Sequence, residues 1–112
     1  MEEFITYLSK SAGEARAEAA ALLKDGRGDD ADFMKVRANI YDVCLTVSRA
    51  LLNRPGAGTG AIGAQLTRFR TEWGAALETA KRYGDVRKIA VEEIKLAALE
   101  DVIARFGEVA GA

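Results

Sequence analysis

Apolar side chains recur at intervals of three and four residues through four stretches of this chain. Each stretch closes on a glycine or on the one proline. A period near 3.6 gathers such positions on one side of an α-helix, whereas a half-buried strand needs alternation by twos. The chain is thereby restricted to helices joined by short connections.

The first stretch carries Phe4, Ile5, Leu8, Ala12, Ala15, Ala19, Leu22 and Leu23 and ends at Gly26. Ser11 and Glu14 have the spacing of a capping box around Gly13, so this helix has a place to kink or restart. Phe33, Val36, Ile40, Val43, Val47 and Leu51 mark the second, with Asp29 and Asp30 placed to cap it. It must stop before Pro55, because the residue ahead of a proline is pushed out of the helical region. The run Pro55-Gly56-Ala57-Gly58-Thr59-Gly60 is the longest loop. Ile62, Leu66, Phe69, Trp73, Leu77 and Ala80 form the third stripe. Gly84 then ends one helix while Asp85 caps the next, a turn short enough to make the last two helices antiparallel neighbours.

The expected fold is all-α: one domain over residues 1–112, an up-and-down antiparallel four-helix bundle with helices at about 2–25, 30–53, 60–83 and 85–107. At 112 residues it can bury a core without disulfides or metal. The quarters 1–30, 31–59, 60–84 and 85–112 carry net charges of −3, +2, +2 and −2, so each tightly linked pair of helices joins opposite signs. Glu93 and Glu100 interrupt an apolar line of the fourth helix and are expected to pair with arginines of the second or third.

That fourth helix is apolar on two sides. Ile89, Leu96, Leu99, Ile103 and Phe106 share one; Val91, Ile94, Ala98, Val102 and Val109 lie roughly opposite. Two stripes need two partners. Either the helix sits at the centre of the bundle, or its second stripe meets another subunit, and the second arrangement is the expectation here. Val91, Ile94, Ala98, Val102 and Val109 are then the candidate interface of a homodimer. Tyr41, Phe69 and Trp73, with Gly74, Ala75 and Ala76 beside the tryptophan, are the candidate walls of an apolar ligand cleft.

Chemistry is narrowed mainly by exclusion. Histidine is absent, which removes Glu-x-x-His di-iron sites, serine–histidine and cysteine–histidine nucleophiles, and most catalytic zinc arrangements. Cys44 is the lone cysteine, so no intrachain disulfide forms. No catalytic, cofactor or metal residues are assigned; a carboxylate-based or metal-assisted enzyme using glutamates of the first and fourth helices is the remoter alternative.

Gly58-Thr59-Gly60-Ala61-Ile62-Gly63 matches GxGxxG, yet a dinucleotide site needs that turn to follow a β-strand, and here it follows a helix and a proline. Arg27-Gly28-Asp29 and the aspartates 25, 29, 30 and 32 read as helix boundaries rather than as adhesion or calcium motifs. Lys81, Arg82, Arg87 and Lys88 bracket the Gly84 turn, where two cations at a helix start oppose its dipole.

A formal charge of −1 gives no field for nucleic acid, and no run approaches the ~18 apolar residues of a membrane span. The acidic Met1-Glu2-Glu3 start lacks a secretory pattern. A soluble, cytoplasmic protein is expected, binding neither nucleic acid nor membrane. The turn at Gly84 resembles a tetratricopeptide hairpin only in outline; the tryptophan and proline signature positions are missing. The function expected is protein–protein interaction, as adaptor, regulator or subunit.

Overall fold

Four helices form where the apolar periodicity places them: α1 (Glu2–Lys24), α2 (Gly28–Leu52), α3 (Thr59–Arg82) and α4 (Val86–Ala110). The computed structural model describes residues 1–56 and 58–111. Ala57, in the longest predicted loop, lies outside the described residues, as does Ala112. No strand occurs among the described residues, and no helix there is long and apolar enough to cross a membrane.

Each of the three connections contains a glycine in the left-handed region, Gly56 at φ 78° in the second. At Gly26 and Gly84 the backbone takes φ of 77° and 65°, the left-handed region that a Cβ disfavours. At the end of α3 the Gly84 N–H donates to the Lys81 carbonyl at 3.1 Å and the Asp85 N–H to the Ala80 carbonyl at 3.2 Å. The same pair of bonds closes α1, from Gly26 to Leu23 and from Arg27 to Leu22. Carbonyls left open by the last turn are thereby satisfied. Asp85 serves twice, because its carboxylate also accepts from the Lys88 N–H at 3.1 Å and caps α4.

Two local expectations fail. No kink or restart interrupts α1; the helix runs unbroken through Gly13, and Ser11 and Glu14 form no capping box. Asp29 and Asp30 do not cap α2 either. Gly28 already belongs to the helix, so the aspartates fall in its first turn, where they complement its positive end. Asp30 instead accepts from the side chain of Arg27, at 2.9 Å from Nε.

The packing order follows side-chain volume. Ala12, Ala15 and Ala19 of α1 and Ala38 and Ser48 of α2 are all buried, and these small residues let α1 and α2 lie together most extensively. α3 packs on α4, α2 meets α4 across the middle, and the α2–α3 and α1–α4 seams are thin. Like α4, α2 proves apolar over a broad arc. Its buried centre is Ala38, Ile40, Tyr41, Cys44, Leu45 and Ser48, while Val43 and Val47 of the expected stripe are only half-buried. Phe4, Leu8, Ile62, Leu66, Leu99 and Val102 complete the core.

Within that core α4 touches all three other helices. Ala98 and Val102 are 0% exposed, so two of the five residues expected at a subunit interface are core residues of one chain. Val91, Ile94 and Val109 are half-buried. The two-sided pattern of α4 is met largely from within.

The resulting molecule is flat, 45 × 34 × 22 Å, with a radius of gyration of 15.1 Å. A chain of this length in a spherical fold would have about 13 Å. Its accessible surface of 6607 Å² likewise exceeds the roughly 6,000 Å² typical of its mass.

Cys44 is buried at the centre, and desolvation pushes its thiol from 9.0 up to about 12. Burial, reinforced by the fields of Tyr41 and Asp101, pushes Tyr7 from 10.0 up to about 12 as well. In both cases the unfolded chain releases its proton at the lower pH. Stability is therefore full below about pH 9 and is lost as pH rises toward 12. The Cys44 contribution is on the order of 4 kcal/mol when fully developed. A series of urea unfolding curves between neutrality and high pH should show the midpoint falling from about pH 9 upward; a flat profile to pH 11 would contradict this burial. The folded protein should also leave Cys44 unreactive toward thiol reagents at neutral pH.

Candidate functional site

Because α1 and α4 barely meet, a groove runs between them with α2 as its floor. Leu22 of α1, Phe33 and Met34 of α2, and Ile94 and Ala97 of α4 line one end, a cavity of about 370 Å³. Glu18, Arg27, Asp30 and Arg37 rim it. Through Glu18, Met34 and Arg37 it continues into a smaller polar recess of about 150 Å³, bounded by Ser11, Glu14, Ala15 and Tyr41. The groove is thus apolar at one end and polar at the other.

A ladder of cations and rings holds the polar end. Arg37 Nη2 donates to Asp101 Oδ2 at 2.6 Å, tying α2 to α4. The same guanidinium lies 5.3 Å from the Tyr41 ring centre. Tyr41 meets Tyr7 edge to face, centroids 6.2 Å apart at 88°, and Arg105 of α4 sits 5.5 Å from the Tyr7 ring. Three helices are therefore fastened by five side chains.

Burial works against the charge of Arg37, but its bond to Asp101 and the neighbouring Tyr41 field outweigh it, and its pKa is raised. Burial also raises Tyr41, partly opposed by Arg37. Both phenols therefore stay protonated at neutral pH. They can donate and accept hydrogen bonds but cannot act as bases.

The remaining sequence candidates are scattered. Phe69 and Trp73 stack on α3 with centroids 4.8 Å apart, and Lys95 of α4 covers the tryptophan at 5.2 Å. The recess that Tyr41 lines has no α3 residue in its wall, so Tyr41, Phe69 and Trp73 do not form one cleft. Ile94, expected at a subunit interface, lines the groove instead.

Glu100 pairs with Arg70 of α3 through two bonds of 2.8 and 2.7 Å, the partnership its position predicts. Glu93 is exposed. Glu92 is buried, and its Oε2 lies 3.3 Å from Lys95 Nζ as an ion pair without forming a hydrogen bond. Among the described residues no three Cys, Asp or Glu side chains gather as metal ligands would.

The glycine-rich run serves packing. Gly58 precedes the first turn of α3, Ile62 is buried, and Gly63 lies under the Phe106 ring, where an added Cβ would come within 3.2 Å of Cε2. Arg87, misplaced for the dipole of α4, is held by Asp32 at 3.7 Å and by the Phe33 ring at 5.6 Å.

Arg37 and Asp101 were not foreseen as site residues. One signal was present: Arg37 lies four residues before Tyr41, one helical turn away on the same face.

The chain matches no protein-family model, no curated protein and no solved structure. Its groove therefore stands on geometry alone.

Proposed function

We propose that this chain is a protein-interaction module, an adaptor or subunit, that seats an amphipathic helix of another protein in the groove between α1 and α4. One observation carries the reading: the α1–α4 seam is open along an apolar floor. A fifth helix would close it. Helix-in-groove recognition needs a row of apolar pockets bordered by charges, and Leu22, Phe33, Met34 and Ile94, with Glu18 and Arg37 at the edge, provide that pattern. Met34 adds an adaptable surface, since a thioether side chain refits to differing partners.

A small-molecule role is less well supported by the shape. Such ligands have ~70–90% of their surface buried, and this cavity of about 370 Å³ stands open to solvent between three helices.

The test is selection from a displayed library of helix-forming peptides. Sequences with apolar residues at i, i+3 or i+4, and i+7 are expected to bind, gaining helicity as they do. Met34→Glu, at a half-buried position, should weaken them by on the order of tenfold or more while the helical spectrum of the protein is retained. Selection of no helical consensus, or binding indifferent to Met34, would refute the proposal.

A further inference from the structure

Three of the four large apolar side chains most exposed on this molecule lie at one end of it. Leu23 is 57% exposed, Tyr83 79% and Val86 80%. Leu23 adjoins the α1–α2 turn; Tyr83 and Val86 flank Gly84 in the α3–α4 turn. The contact of Arg87 with Asp32 and Phe33 places both turns at the same end.

The charges there divide by turn. Several are satisfied locally: Asp30 by Arg27, Asp32 by Arg87, Lys81 by Glu78, and Asp85 by the cap of α4. Lys24 sits in the last turn of α1, where the helix dipole favours a cation. Without an ion pair among the described residues are Lys24, Asp25 and Asp29 on one turn, and Arg82 and Lys88 on the other, all exposed; residues 24–32 carry a net charge of −2 and residues 81–88 one of +3. One half of the end is left acidic and the other basic.

A surface divided in this way is complementary to itself under a two-fold rotation. Turning a second copy by half a revolution sets its acidic turn over the first copy's basic turn, twice, with the same patch used on both sides. We infer that this end of the bundle is an interface between two copies of the chain. Asp25 and Asp29 of each copy face Arg82 and Lys88 of the other, and Tyr83 and Val86 are covered against the Leu23 side of the partner. The contact adjoins the apolar end of the groove, whose lining residues Leu22, Arg27 and Asp30 neighbour Leu23, Asp25 and Asp29.

The experiment is sedimentation equilibrium on three forms of the full chain, each first checked for native helicity. The unchanged protein is expected to dimerise reversibly, with a dissociation constant that rises with salt because the facing charges are exposed. An all-acidic variant, Arg82→Glu with Lys88→Glu, and an all-basic variant, Asp25→Lys with Asp29→Lys, should each dissociate on the order of tenfold or more readily. Mixed in equal amounts, the two variants should form a heterodimer at least as tight as the original, since each acidic half now meets a basic one. A monomer at all concentrations and low salt would overturn the inference. So would a dimer indifferent to the four substitutions, or variants that fail to pair with each other.

Discussion

Val102→Asp is expected to leave the chain unfolded, not merely monomeric. Val102 is 0% exposed and belongs to the core cluster with Ala98, Leu99 and Phe4. The substitution removes about 1.5–3 kcal/mol of apolar burial. It also asks a carboxylate to leave water without a partner, at several kcal/mol more after relaxation. Together these approach the ~5–15 kcal/mol that holds an ordinary domain together. Leu99→Asp, equally buried, should behave the same way.

Val91 offers the contrast. It is half-buried on the same stripe, so Val91→Asp should fold with reduced stability. Circular dichroism and a denaturant titration of the three variants decide the matter. A folded Val102→Asp chain would mean that this stripe faces outward after all.

Phe4→Ala should be the most damaging truncation in α1. The ring is 0% exposed and meets Phe106 edge to face, centroids 5.3 Å apart, with Tyr7 stacked alongside at 6.4 Å. It joins the start of α1 to the end of α4, where the two helices otherwise have little contact. Emptying such a site costs about 3–5 kcal/mol, because the neighbours refill only part of the space. For a domain of this size that corresponds to a fall in Tm on the order of 15 °C. Phe4→Leu, which keeps most of the volume, should recover more than half of the loss. A shift of only a few degrees in the alanine variant would mean that Phe4 is not the link between these ends.

The helices were legible because period and stop signals are local. A stripe at three- and four-residue spacing, a glycine where the backbone must reverse hand and an aspartate after it are written side by side, and the Gly84–Asp85 turn forms as they require. The Glu100–Arg70 pair was legible too, since a carboxylate within an apolar line needs a cation on the adjacent helix. What sequence could not settle is the rotation of each helix about its own axis. Periodicity reports that α4 has two apolar sides, but not whether the second is met by α2 or by another molecule. For the same reason Tyr41 could be grouped with Phe69 and Trp73, although it turns toward Tyr7 and Arg37. The groove arises from the alanines that draw α1 onto α2 and away from α4, a property of three helices together. The aspartates of the first turn were misassigned because Gly28 can enter a helix as readily as precede one.

The two glycine turns also govern how the chain finds its structure. Each helix pair closes over a connection of a few residues, so little chain entropy is lost in joining its members. Contacts within α1–α2 and within α3–α4 outnumber those between the pairs, which gives the fold a low contact order. The two hairpins should accordingly assemble on the microsecond-to-millisecond scale of helical bundles and dock through α2 and α4 afterwards. Arg37 and Asp101 join only in that second event, so the polar end of the groove is among the last parts of the molecule to be completed.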